Sequence, residues 1–316
     1  GPRGGLRWIG GSAGCEASSD GKQGQAGCAL HDLPLVWKKR TPKGDLQGIV
    51  AAMIRLAANI STMFQELPFL ERIDAVAAAG FVAVECQFPY VATPEQIAQR
   101  LKDNGLRCVL FNAPPGRAEQ GERGIASLPG RERDFDEAME VAVRYIEALD
   151  YRRLHVMAGL LPQGADRLRH LDHFVGSLAR AADRLAQVNA QVMIEPINTR
   201  VDVPGYLLES TRQALECIAA ADRANVRLQY DVYHMQIMEG DLMRSIERLL
   251  PWIGHIQIAD NPGRHEPGSG EINFTRLLAH IDSLGYEGHI GCEYLPAAGT
   301  AEGLEWARQY LRGAET

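Results

Sequence analysis

The chain has 316 residues and a formal net charge of −7, with 33 basic and 40 acidic side chains. That length is ample for a large buried core, and 46% hydrophobic with 23% charged residues is ordinary globular composition. The acidic balance lacks the footprint of a nucleic-acid binder, and no run approaches the roughly 18 apolar residues of a membrane helix. The six cysteines are scattered without a CxxC pair, which argues against a zinc finger or disulfide framework and for reduced thiols in the cytoplasm.

Residues 1–52 show no hydrophobic periodicity, and nine glycines fall within the first 30 positions. Lys38, Lys39 and Arg40 are not followed by a continuous apolar stretch, so a signal peptide is not expected. Periodic pattern begins at Met53, the first methionine. Residues 1–52 are therefore expected to be a poorly structured extension or a mis-assigned start. A flexible arm that meets a partner is the rival reading.

From residue 55 onward, short apolar runs alternate with amphipathic stretches. Strands are expected at 56–60, 82–86, 108–112, 154–157, 192–196, 227–231, 255–258 and 289–293. Helices are expected at 68–79, 94–103, 131–148, 166–187, 211–221, 242–250, 274–284 and 302–312. Gly80, Gly105 and Gly285 close three of them. Eight strand–helix units over residues 53–316 predict one α/β catalytic domain, a (β/α)8 TIM barrel. A doubly wound open sheet is the alternative, but the first strand runs into NISTMFQELP, without its GxGxxG turn.

Function in such a barrel sits at the C-terminal ends of the strands. Glu195 ends strand five, Asp231 strand six and Glu293 strand eight, and Gln257 lies on strand seven. Three ionised carboxylates in one enclosed site require a cation. An all-oxygen set suits Mg²⁺ or Mn²⁺ better than zinc, so one such ion is expected on Glu195, Asp231, Gln257 and Glu293. Glu85, at the end of strand two, is read as orienting a neighbour.

The segments GLRCVLFNAPPG, HVMAG, IEPINTR, QYDVYHMQIMEGD, GHIQIADNPGRHEPGSGEINF and GCEYLP closely resemble the hydroxypyruvate isomerase family, within the xylose isomerase-like barrels. The resemblance covers residues 55–312. It implies one divalent metal on the same four residues, with Glu195 and Glu293 as the acid–base pair. It implies hydroxypyruvate or tartronate semialdehyde as substrate, with 2-oxo-tetronates in a sister group.

Such an isomerisation moves one proton between adjacent carbons through an enediolate. It needs a base, an acid and an electrophile for the developing oxyanion. The substrate carboxylate needs a cationic clamp, for which Arg264 is the first choice and its neighbour His265 the substitute. His234 and His155 are expected to hydrogen-bond substrate oxygens. Residues 114–130 and 198–210 are too long for minimal turns and are expected to act as lids. A ketose 3-epimerase, a metal-dependent DNA endonuclease and a non-catalytic sugar-acid binder are the competing functions. No nucleic-acid or membrane partner is expected, and homo-oligomerisation is left open.

Overall fold

Eight parallel strands close on themselves in chain order, from β1 paired with β2 through to β8 paired back with β1. The computed structural model describes residues 54–311. The strands are β1 (Arg55–Asn59), β2 (Ala83–Cys86), β3 (Arg107–Asn112), β4 (Arg153–His155), β5 (Gln191–Ile194), β6 (Val226–Asp231), β7 (Ile253–Ile258) and β8 (His289–Cys292). The open-sheet alternative is thereby excluded. Expectations for residues 1–52 and Arg312 lie outside the described residues.

The helices between them are α1 (Phe69–Ala78), α2 (Pro94–Asp103), α3 (Glu132–Ala148), α4 (Arg167–Ala186), α5 (Thr211–Ala221), α6 (Val232–Met238), α7 (Leu242–Leu249) and α8 (Phe274–Ser283). Local chemistry sets their ends. Thr93 and Gln96 form a reciprocal capping box on α2, with Pro94 at its first turn. Asp166 caps α4, whose buried Leu171, Phe174, Val175, Leu178, Ala181, Ala182 and Leu185 recur at three- and four-residue spacing and face the barrel. The strands are buried on both faces, so they read as continuous apolar runs rather than alternating ones.

Three details differ from expectation. β5 and β8 end one residue before Glu195 and Glu293, which begin the loops beyond them. Pro196 and Pro296 lie close behind and cannot donate to a ladder. α6 was not expected; it is only seven residues long and begins directly after β6. The segment expected as a last α-helix is a 3₁₀ helix, Glu302–Tyr310. Gly303 in its first turn disfavours the α form. Among the described residues, no helix is long and apolar enough to cross a membrane.

Candidate metal and active site

Asp231 does two jobs at the end of β6. Its Oδ1 caps α6, accepting from Tyr233 N at 2.7 Å and His234 N at 3.3 Å. Its Oδ2 is buried with no hydrogen-bond partner. Because the helix starts at once, His234 is carried back over the strand end. Its Nε2 lies 3.8 Å from Asp231 Oδ2 and 3.8 Å from Glu195 Oε1. Glu195 Oε1 is likewise buried without a partner. Ligand-capable atoms of Glu195, Asp231 and His234 all lie within 4.8 Å of one another. Buried unpaired acceptors converging in this way fit a cation.

Gln257 pairs in register with Asp231 across β6 and β7. Its Oε1 accepts from Gln229 Nε2 at 2.5 Å, and its Nε2 donates to Glu85 Oε1 at 2.7 Å. A carbonyl oxygen has a second lone pair, so Gln257 retains capacity to ligate. Glu293 is held from below: Asn59 Nδ2 donates to its Oε1 at 3.0 Å and Gln87 Nε2 at 2.9 Å. Glu293 Oε2 receives Arg264 Nη2 at 2.9 Å.

Arg264 takes a left-handed backbone (φ 57°) in the loop after β7. That loop is wrapped around Asp260, whose carboxylate accepts from the amides of Asn261, Gly268, Gly270 and Ile272. The Arg264 guanidinium reaches Asp202 Oδ2 at 3.1 Å and lies 3.8 Å from Asp231 Oδ2. It also lies 5.2 Å from the centre of the Tyr233 ring. Arg264 therefore answers three protein carboxylates: Glu293, Asp202 and Asp231.

Burial governs the protonation of the site. It pushes Glu195 well above the usual carboxylate range, and the neighbouring Glu293 and Asp231 add to the effect. It raises Glu293 to about 7 against the opposing charge of Arg264. Asp231 is also raised by burial, again opposed by Arg264. Burial lowers His155 to about 3 and His234 well below its ordinary value, so both rings are neutral near pH 7.

Glu195, Glu293, His155, His234 and Arg264 line one cavity of about 210 Å³ at the strand C-termini. Asp231 and Gln257 are fully enclosed beneath it. His155 offers the cavity two ring nitrogens without hydrogen-bond partners, and its Nδ1 lies 3.5 Å from Glu195 Oε2. His265 does not line the cavity; its Nδ1 faces the Leu295 carbonyl at 2.7 Å. Residues of 114–130 and 198–210 form part of the cavity wall.

The supporting residues Asn59, Gln229, His255 and Asp202 did not stand out in the sequence, whereas Gln87 did, at the end of strand two beside Glu85. Asn59 ends β1, the kind of position that singled out the glutamates. Asp202 carried no signal beyond its place in a long loop.

The profile of a family described as "Xylose isomerase-like TIM barrel" matches residues 73–310. The chain is 48% identical over 259 residues to the 2-oxo-tetronate isomerase of Cupriavidus necator, covering 82% of this chain and 99% of that one. It is 42% identical over 258 residues to the hydroxypyruvate isomerase of Escherichia coli, covering 82% of this chain and 100% of that one. A crystal structure named AP endonuclease, family 2, from Brucella melitensis aligns with a TM-score of 0.80 at 45% identity, covering 82% of this chain and 100% of that one.

Proposed function

Since the chain belongs to the xylose isomerase-like TIM barrel family, we propose that it isomerises a small hydroxy/oxo acid, converting hydroxypyruvate to 2-hydroxy-3-oxopropanoate (tartronate semialdehyde). Isomerisation of a 2-oxo-tetronate is the alternative within the same chemistry, since relatives of both names match at similar identity. The observation that carries this reading is the pair Glu195 and Glu293, both buried and raised, facing one small cavity from β5 and β8.

A single Mg²⁺ or Mn²⁺ on Glu195, Asp231, Gln257 and Glu293 would polarise the carbonyl and hydroxyl oxygens of the substrate. The unpartnered oxygens of Glu195 and Asp231 support this set, and its oxygen-rich character favours a hard cation. His234 is within reach of the same place.

One of Glu195 and Glu293 removes the C–H proton, and the other returns a proton to the neighbouring carbon. A carboxyl near 7, as at Glu293, is suited to both directions of transfer. His155 and His234 stay neutral, so each can donate one hydrogen bond to a substrate oxygen without adding charge. Asn59 and Gln87 fix the Glu293 carboxylate, and Asn198 fixes the His234 ring through a 2.8 Å contact to its Nδ1. The walls from 114–130 and 198–210 shield the enediolate from water.

The enclosed cavity and the charge of −7 favour a small acid over a DNA duplex, the substrate class that the name of the Brucella chain would suggest. The four described cysteines are free and buried, which supports a reducing, cytoplasmic setting. The test is proton NMR in D₂O with Mg²⁺ or Mn²⁺, against hydroxypyruvate, a 2-oxo-tetronate, a ketohexose and, separately, an abasic DNA duplex. Product and solvent-deuterium incorporation with an oxo acid are expected. Turnover of only the ketohexose or the DNA would overturn the reading.

A further inference from the structure

An oxo-acid substrate brings a negative charge into a cavity already walled by Glu195 and Glu293. It needs a cation that no protein carboxylate has claimed. Arg264 does not meet that need, because its guanidinium already faces Glu293, Asp202 and Asp231. His155 and His234 are buried and lie beside Glu195, at 3.5 Å and 3.8 Å. One other cation lines the cavity, Arg123, in the loop after β3. Among the described residues it has no hydrogen-bond or ion-pair partner.

The backbone on either side of Arg123 is fixed. Before it, Glu122 is bound by Arg117 at 2.9 Å and by Arg131 at 2.5 Å. After it, Gly124 adopts φ 110°, and a Cβ there would run into the Met157 carbonyl. A Cβ on Gly159 would in turn meet the Gly124 carbonyl, so two glycines let the loops after β3 and β4 touch backbone to backbone. Ser127 N then donates to Ala158 O at 3.1 Å, and the Ser127 carbonyl meets His170 Nδ1 at 2.8 Å. The segment is a braced wall, and Arg123 is the cation left free between its two anchors.

We propose that Arg123 binds the carboxylate of the substrate and so sets the preference for acids over neutral sugars. A guanidinium offers a two-pronged donor edge matched to a carboxylate. The proposal rests on the small-acid reading above. It gives the clamp role to the wall after β3 and leaves Arg264 as the counter-charge of Glu293 and Asp231.

The test uses the full chain with Mg²⁺ and the variants Arg123→Gln and Arg123→Lys. Titration calorimetry with D-glycerate, a stable three-carbon hydroxy acid, reads the clamp without turnover. Hydroxypyruvate and dihydroxyacetone, which carries no carboxylate, read it in kinetics. Arg123→Gln should weaken glycerate binding and raise KM for hydroxypyruvate by about 10–10²-fold, the scale of a lost charge-assisted hydrogen-bond pair. The larger part of the change should fall on KM rather than kcat. Preference for hydroxypyruvate over dihydroxyacetone should drop at least about tenfold, and Arg123→Lys should recover part of the loss. Glycerate affinity and acid preference within twofold of the wild type in Arg123→Gln would overturn the proposal, as would a wild type that does not bind glycerate. If the wild type turns over neither hydroxypyruvate nor a 2-oxo-tetronate while Arg123→Gln still loses glycerate, the substrate reading falls and the clamp stands.

Discussion

His255 Nε2 lies 2.6 Å from Glu85 Oε2, and neither side chain has any exposed surface. The pair sits on β7 and β2, across the inside of the barrel. The other oxygen of Glu85 accepts from Asn59 and from Gln257. Asn59 also reaches Glu293, and Gln257 pairs in register with Asp231. Glu85 is thus the hub of a buried polar layer that supports the candidate site from beneath.

Glu85→Ala should therefore destabilise the barrel by about 3–5 kcal/mol, the cost of leaving buried polar partners uncompensated. Gly291→Ala reaches the same hub by a different route, because a Cβ on Gly291 would press into the Glu85 carboxylate. Both variants should lower the urea midpoint and the turnover together. A midpoint within error of the wild type for both would show that the layer is not a support.

Glu195→Gln and Glu293→Gln each keep an oxygen donor while removing the proton carrier. Each should lower kcat by about 10²–10⁴-fold. The double variant should be little worse than either single one, because one missing step already halts the transfer. A variant that still incorporates solvent deuterium but forms no product identifies its residue as the second-step acid. Near-normal turnover with metal saturating would make that glutamate a ligand alone.

Chelation of the protein with EDTA should abolish turnover, and added Mn²⁺ or Mg²⁺ should restore it. Asp231→Asn should weaken Mn²⁺ binding in a calorimetric titration, since the carboxylate whose Oδ2 has no hydrogen-bond partner loses its charge. Gln257→Glu is the contrasting change: it adds a carboxylate at a position with no proton to move, so it should alter metal affinity more than proton transfer. Full activity in rigorously metal-free protein would end the cation proposal.

Glu122 supplies a pH test of the wall after β3. Hydrogen bonding from Arg131, opposed by partial burial and reinforced by Arg117, lowers its carboxyl from 4.5 to about 2. A lowered carboxyl stabilises the folded form above its unfolded value, and that contribution is lost as pH falls. Amide exchange across 114–131 should thus be slower in the wild type than in Glu122→Gln at pH 7. The difference should shrink from about pH 4.5 down to about pH 2. A difference independent of pH over that window would show that the ion pairs do not brace the wall.

The architecture and the acidic residues at the strand ends were readable from local pattern alone. Eight apolar runs separated by amphipathic stretches leave few ways to bury both faces of every strand, and the closed barrel is the one found. Glu195, Asp231, Gln257 and Glu293 were legible as candidates because acidic and amide side chains are out of place at the ends of buried strands. Which polar atoms already have partners emerges with the folded barrel alone. In the sequence Arg264 stood out as a loop arginine and Arg123 did not; in the structure Arg264 faces three carboxylates contributed by different loops and strands, and Arg123 is paired with none among the described residues. His234 and His265 each follow a strand-end acid, but α6 returns the first to the site, while the loop around Asp260 directs the second to the Leu295 carbonyl. Such pairings join residues tens to hundreds of positions apart. Local pattern fixes what each segment becomes, but only barrel closure fixes which side chains meet.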